Sequence, residues 1–177
     1  MKQKYTLLII TLIIVGFTLR LLPHPANFAP IMALAIFSGL YLPKKFNVII
    51  PIVAMFISDI FLGFYSLPIM FSVYGSFILA TLLGTWLKKH KKIANVILAT
   101  FFGSFLFFLT TNFSVWAFGT MYTHNFAGLM QSYFMALPFF RNSLLGDLFY
   151  VSIFVGVAEL SIKYLKVEKD TKITNKI

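Results

Sequence analysis

Four charged side chains that interrupt apolar stretches are the residues of this sequence most able to do chemistry. Arg20, Asp59, Arg141 and Asp147 each lie within or at the border of a long apolar segment. A charged side chain in hydrocarbon is costly, so such residues usually face a protein interior or a water-filled cavity. Either the two arginines neutralise the two aspartates inside a helix bundle, or these groups bind a ligand. The sequence leaves both interpretations open.

Uncharged polar and aromatic residues gather with these charges at one predicted end of the molecule. In small-molecule sites, apolar walls bury the ligand and a few polar groups orient it. We therefore predict a polar-aromatic chamber open to the outer side, in which asparagines donate hydrogen bonds and aromatic rings stack on a flat ligand ring. The candidate ligand-binding residues are Arg20, His24, Asn27, Asp59, Tyr74, Asn112, Trp116, Tyr122, Arg141, Asn142 and Asp147.

The composition predicts a membrane protein. Of the 177 residues, 59% are hydrophobic and 11% are charged, whereas soluble domains contain about a quarter charged residues. The net charge of +10 comes from lysines scattered over loops beside apolar segments, so we expect contact with anionic lipid headgroups and not with nucleic acid. The absence of cysteine excludes disulfides and thiolate metal ligands.

Lysine positions give the predicted topology. With both termini inside, all lysines are cytoplasmic, whereas the two arginines, Arg20 and Arg141, lie on the opposite side. Positive charge beside short loops holds those loops in the cytoplasm. The sequence therefore predicts an all-α bundle of six transmembrane helices, N-in/C-in, with residues 1–165 as a single domain and 166–177 as a Lys-rich cytoplasmic tail. The predicted helices are Thr6–Leu22, Pro30–Leu42, Val48–Phe64, Ile69–Leu87, Ile93–Phe118 and Ser143–Leu165.

The second predicted helix is short for a membrane crossing. Ile31–Leu42 covers only about 18 Å of helix, so it must either borrow residues 26–30 or be re-entrant. If it did not cross, Lys44 and Lys45 would lie outside, and the later lysine clusters would be on the opposite side from the N-terminus. The lysine pattern therefore favours a crossing.

The connection between Gly119 and Asn142 contains a further helical pattern. Its apolar residues from Phe126 to Leu137 recur on one helical face. Asn125 suits an N-cap, and Pro138 should disrupt continuation of the helix. We predict a short outer-face helix that either lies flat at the interface or closes over the chamber as a lid.

Recognisable catalytic motifs are missing from the sequence. It contains no Gly-x-Ser-x-Gly, no His-Glu-x-x-His and no phosphate-binding loop. His24 and His124 lie in separate loops without ligand spacing, so we expect no metal, cofactor or catalytic residue. Two alternatives stay open: a non-catalytic scaffold in a multi-protein envelope complex, and an intramembrane enzyme that uses Asp59 and Asp147 as an acid/base pair.

Several ordered motifs resemble those of a family of small bacterial membrane proteins classed as a domain of unknown function. The motifs occupy residues 20–31, 37–39, 58–64, 73–75, 111–116 and 137–147. The size and predicted topology are also similar to those of the substrate-binding S components of energy-coupling-factor transporters. This resemblance implies a protein of the bacterial inner membrane that captures a vitamin or similar cofactor precursor at its outer face.

The same resemblance implies a protein partner. S components commonly dock on an energising module, a coupling subunit plus ATPases, through an Ala-x-x-x-Ala face of their first helix. The first predicted helix here contains no alanine. The protein would then dock through another face, such as Ala80 and Gly84, or act alone.

Overall fold

The structure describes residue 11 and residues 14–174, with side chains as far as residue 163. In this part of the chain, helices are the only regular secondary structure. This computed structural model contains helical residues 14–21, here α1, followed by six complete helices. The predicted all-α fold class is confirmed for these residues. The six helices are α2 (Ile31–Tyr41), α3 (Lys44–Asn47), α4 (Ile49–Leu62), α5 (Leu67–Leu87), α6 (Ile93–Phe118) and α7 (Phe126–Thr174).

Four helical stretches are long and apolar enough to cross a membrane. They also expose large apolar side chains, among them Phe71, Ile93 and Phe134, which indicates a membrane protein because lipid can cover such a surface. The start of the first predicted helix lies outside the described residues, and a count of six crossings stays a prediction. The four stretches are Lys44–Leu62, Leu67–Leu87, Ile93–Phe118 and Phe126–Lys163.

Helix α2 forms the centre of the bundle. Its residues from Ile31 to Leu40 are all buried, and it packs against α4, α5, α6 and α7. With 11 residues it spans only about 16 Å. The preceding connection, residues 22–30, is non-helical, so residues 26–30 lie outside the helix, and a crossing of the membrane by this segment stays a prediction.

Glycines allow α2 and α5 to cross in close contact. A Cβ atom at Gly84 would overlap the Ile36 carbonyl, and one at Gly39 would overlap the Thr81 carbonyl. Ala80, one turn before Gly84, is fully buried. The small residues predicted as a docking face are therefore already buried within the same chain, Gly84 against α2.

Helix α7 does not end at Pro138. Phe126–Thr174 is one helix of 49 residues with this proline inside it, so the predicted helix over Phe126–Leu137 forms its first turns. An interior proline costs about 3 kcal/mol, and side-chain packing on both sides offsets that cost. The Tyr133 and Phe140 rings both contact Phe108 of α6, at centroid distances of 5.5 and 4.8 Å.

The first turn of α7 is capped as the sequence predicts. The Asn125 side-chain oxygen accepts the Gly128 backbone N–H at 2.8 Å, which satisfies one of the donors left free at a helix start. About 73 Å of helix is far longer than the roughly 30 Å hydrocarbon core.

Lysine-rich connections meet at one end of the bundle. Lys88 Nζ donates to the Leu42 carbonyl at 2.6 Å, and Lys91 Nζ lies 2.7 Å from Glu159 Oε1. Lys88 follows the last residue of α5, whereas Tyr74, in the first half of that helix, donates a hydrogen bond to Asp59. These lysines therefore lie at a different end of the bundle from Arg20, and the side of the membrane on which each end lies stays a prediction.

Candidate functional site

Arg20 and Asp59 form a buried ion pair between the end of α1 and the last turn of α4. Arg20 Nη1 lies 2.7 Å from Asp59 Oδ1, and their side chains are 15% and 1% exposed. The same nitrogen also donates to the Ser58 hydroxyl and the Met55 carbonyl. Tyr74 Oη donates to Asp59 Oδ2 at 2.7 Å. Both carboxylate oxygens of Asp59 are therefore satisfied by the protein itself, and Arg20 is one of its partners.

The chain turns sharply after Asp59. Gly63 has φ of +94°, which favours glycine, and its N–H donates to the Asp59 carbonyl at 2.9 Å. In the following connection, the Tyr65 hydroxyl is buried without a hydrogen-bond partner among the described residues. Burial, reinforced by the charge of Asp59, raises the pKa of Tyr65 to about 12. Tyr65 therefore stays neutral beside the ion pair.

Asp147 has no such cation. Its side chain is buried in α7, and Oδ2 accepts the Ser104 hydroxyl at 2.7 Å. Among the described residues, no lysine or arginine nitrogen lies within ion-pair distance of it. Arg141 is exposed and makes no ion pair there. Of the two aspartates, only Asp59 is therefore neutralised by an arginine among the described residues.

Asp147 also lies deeper than the sequence predicts. Its partner Ser104 is close to the middle of α6, whereas a helix starting at Ser143 would place Asp147 one turn from the outer end. The difference arises because α7 begins at Phe126. A carboxyl group near the middle of a membrane helix is a functional-site hypothesis by default.

A small cavity joins the two acidic regions. It has a volume of about 100 Å³, and its polar wall contains Arg20, Asn27, Ser143 and Asp147. We call it the charged cavity. Its apolar wall is formed by Ala29, Ile31, Met32, Met55, Phe77 and Phe107.

A second cavity of about 230 Å³ adjoins the first. We call it the asparagine cavity, because Asn27 and Asn112 line it. Asn27, Phe107 and Ser143 line both cavities. The remaining walls of the asparagine cavity come from Val73, Phe108, Thr111, Val115, Ala136, Phe139 and Phe140.

The irregular connection 22–30 brings Asn27 to both cavities. Asn27 has φ of +64°, a left-handed conformation that asparagine tolerates better than most residues. Asn142 of α7 donates to the neighbouring Ala26 carbonyl at 3.1 Å. Phe28 packs directly over Gly146, where a Cβ would lie 3.1 Å from the Phe28 backbone. These contacts of Ala26 and Phe28 with α7 hold the backbone on both sides of Asn27 in place beside the cavities.

Comparison with known proteins identifies the family. Residues 1–169, nearly the whole chain, match a family of unknown function, DUF6580. The chain belongs to the DUF6580 family. No curated protein matches this DUF6580 protein, and no solved structure matches it. The expected membership in a family of unknown function is confirmed, and the likeness to S components stays a prediction.

Four of the eleven predicted ligand-binding residues of this DUF6580 protein line the cavities: Arg20, Asn27, Asn112 and Asp147. Asp59 and Tyr74 lie behind Arg20 in the hydrogen-bond network. Asn142 donates a hydrogen bond to the Ala26 carbonyl in the connection 22–30. Both ring nitrogens of His24 contact backbone carbonyls.

Trp116 and Tyr122 lie in a different part of the bundle from the two cavities. Trp116 Nε1 donates to the Thr123 carbonyl at 3.0 Å, and its ring contacts His124. Tyr122 is half-buried in the connection that precedes α7. Neither residue lines a cavity that contains Arg20 or Asn112. In this structure Trp116 therefore holds the connection before α7 in place.

Sequence reasoning missed Ser104, Phe107 and Ser143. Ser143 lies four residues before Asp147, so the spacing of one helical turn could have placed both on one face. Ser104 and Phe107 carry no comparable local signal, since their role depends on how α6 packs against α7 and α2. Within the described residues, no group of three or more metal-ligating side chains could hold a metal ion.

Proposed function

We propose that this DUF6580 protein is an inner-membrane protein that binds a small solute from the outer side for uptake. The observation that carries the proposal is the charged cavity, which collects Arg20, Asn27 and Asp147 from three separate parts of the chain. Buried polar groups are expensive in an apolar environment. A cavity that concentrates them near the middle of α6 supports a binding role over a purely structural one.

The break between α1 and α2 supports the same proposal. Residues 22–30 are non-helical, and two of them, Asn27 and Ala29, line the charged cavity. Irregular backbone at membrane depth is tolerated where it is buried in protein or lines a cavity. Transporters commonly form binding sites at such interrupted helices.

The polar groups favour a ligand with both donors and acceptors. All the side-chain hydrogen bonds of Arg20 to described residues use Nη1, although a guanidinium group has five N–H donors. Arg20 can therefore bind Asp59 and an acceptor of the ligand at the same time. Asp147 has one hydroxyl partner and no cation, so we propose that a donor group or a positive charge of the ligand faces it.

The aromatic wall differs from the one that the sequence predicts. Phe77 and Phe107 stack with ring centroids 5.7 Å apart, and both line the charged cavity. These rings, and not those of Tyr74, Trp116 or Tyr122, are the apolar surface beside Arg20 and Asp147. We propose that they contact the flat part of the solute.

The volumes restrict the size of the solute. Pockets for drug-sized molecules measure about 300–1,000 Å³, and each cavity here, at about 100 and 230 Å³, is smaller. A vitamin-sized molecule would need both cavities. One or more of the three side chains that line both cavities, Asn27, Phe107 and Ser143, would then have to move when the solute binds.

We further propose that uptake resembles that of S components. Either an energising module of a coupling subunit and ATPases drives it, or the bundle acts alone by alternating access. Because Ala80 and Gly84 are buried within the bundle, a coupling subunit would have to dock on another surface. The protein would bind no nucleic acid and need no cofactor or catalytic residue.

The test is a search for a bound solute. Protein purified in mild detergent is analysed by mass spectrometry for released small molecules, and a thermal-shift screen of vitamins and cofactor precursors runs alongside. We expect a stoichiometric ligand whose affinity falls about tenfold to 100-fold in Asp147→Asn, the range for a hydrogen bond to a charged group. Asn112→Ala should weaken it less.

Arg141→Gln is the matched control, because Arg141 is exposed and lines neither cavity. This variant should bind like the wild type. Equal binding by the wild type and by both cavity variants would refute the proposed site. The absence of a ligand after growth in several media, together with a co-purifying protein partner, would favour a scaffold role instead.

A further inference from the structure

A third apolar space lies away from both cavities, between α6 and α7 at the lysine-rich end. Its volume is about 520 Å³, larger than either cavity of the proposed solute site. We call it the lysine-end groove. One face of each helix lines it: Lys91, Lys92, Ile93, Val96, Ile97 and Thr100 from α6 and the residues before it, and Leu148, Val151, Ser152, Val155, Gly156 and Glu159 from α7.

The length of the lysine-end groove matches one leaflet of a bilayer. From Leu148 to Glu159 the helix rises about 16 Å, and half of the hydrocarbon core is about 15 Å. Leu148 follows Asp147 directly, and Asp147 bonds to Ser104 near the middle of α6. The groove therefore extends from mid-membrane depth to the lysines at the surface.

The lining is apolar along the helices and charged at the mouth. Lys91 pairs with Glu159 at 2.7 Å, and Glu159 also accepts a hydrogen bond from Tyr41. Lys92 makes no ion pair with any described residue. A positive charge at the surface end of an apolar groove complements a molecule with an anionic head and a hydrocarbon chain.

We propose that the lysine-end groove binds an anionic phospholipid, with one acyl chain between α6 and α7 and the phosphate at Lys92. A zwitterionic phospholipid would fill the same apolar volume, but its own ammonium group would offset most of the attraction between its phosphate and Lys92. The proposal is independent of the solute site, since no residue lines both spaces.

Gly156 keeps part of the groove open. A Cβ atom at this position would meet no heavy atom within 4 Å, so a larger side chain can enter the space without disturbing the bundle. Gly75 of α5 has the same property and lies beside a different surface depression. It offers a matched control for the same substitution.

The experiment measures lipid retention by native mass spectrometry. Purified wild type, Gly156→Leu, Gly75→Leu and Lys92→Gln are each incubated with phosphatidylglycerol or phosphatidylcholine of identical acyl chains. We expect wild type and Gly75→Leu to retain one phosphatidylglycerol molecule in preference to phosphatidylcholine. Gly156→Leu should lose it, because the leucine occupies the position of the acyl chain.

Lys92→Gln distinguishes the headgroup contribution from the apolar one. It should keep the acyl-chain site but lower the preference for phosphatidylglycerol about fivefold, as expected for one lysine near a membrane surface. Equal retention of the two lipids by the wild type would overturn the proposal. So would full retention by Gly156→Leu, or a protein dimer that Gly156→Leu dissociates, since a second chain would then occupy the groove.

Discussion

Replacement of Arg20 by glutamine separates its structural role from its proposed role in binding. In the wild type, the guanidinium group neutralises Asp59, whose side chain is 1% exposed. Arg20→Gln removes this charge and leaves the carboxylate buried beside Tyr74, which still donates one hydrogen bond to it. One hydrogen bond does not replace the lost cation, so we expect a large loss of stability.

The magnitude follows from the burial of the pair. Removing one partner of a buried ion pair costs about 3–5 kcal/mol, because it leaves an uncompensated charge. Replacing both partners with neutral groups is often close to neutral. The double variant Arg20→Gln/Asp59→Asn should therefore recover most of the stability that Arg20→Gln loses.

Thermal unfolding in detergent, followed by intrinsic fluorescence, gives the stability of each variant, and the ligand screen described above gives its affinity for the solute. We expect the double variant to fold almost like the wild type and yet bind the solute poorly, since the free donors of Arg20 are missing. Asp59→Asn alone should fold and bind better than Arg20→Gln, because Arg20, at 15% exposure, faces a cavity.

Two outcomes would refute this reasoning. If Arg20→Gln melts like the wild type, the pair is not buried as the structure has it. If the double variant is as unstable as Arg20→Gln, the loss does not come from an unpaired carboxylate. Wild-type solute binding by a stable double variant would leave the ion pair intact as a structural feature and remove Arg20 from the proposed site.

Two further substitutions test the packing around the site by the same thermal assay. Gly84→Ala should lower stability by about 1–3 kcal/mol, because its methyl group would overlap the backbone carbonyl of Ile36. Gly75→Ala is the control and should not lower stability, because the space around Gly75 is open. Equal melting temperatures of the two variants would contradict the close crossing of α2 and α5. Tyr74→Phe should cost about 1.5–3 kcal/mol, the range for a hydrogen bond to a charged group. An unchanged melting temperature would show that Asp59 does not depend on Tyr74.

Local sequence was sufficient to predict α5, α6 and the charged interruptions of the apolar segments. The positions of α5 and α6 follow from two long apolar runs separated by a lysine cluster, and the cap at Asn125 follows from its residue type and from the apolar pattern after it. Such features depend on neighbours in the chain, so a single sequence reveals them. The importance of Asp59 and Asp147 also followed from composition, since charges in apolar helices are costly.

The path of α7 could not be predicted in this way. Pro138 argues locally for a helix end, with a cost of about 3 kcal/mol. Contacts of Tyr133 and Phe140 with Phe108 lie on either side of it, and they stabilise a continuous helix. Because these contacts involve a residue of α6 far away in sequence, only the packed bundle determines the outcome.

The sequence by itself determined which residues are apolar, which charges lie among them and that the lysines fall in other connections than the two arginines. The tertiary structure alone decided that Arg20 pairs with Asp59, that Asp147 keeps only a hydroxyl partner, and that Asn27 joins them at a cavity. The physical reason is that burial depends on residue type and local pattern, whereas pairing depends on which helices touch. The latter is set by close approaches such as that of α2 and α5 at Gly84.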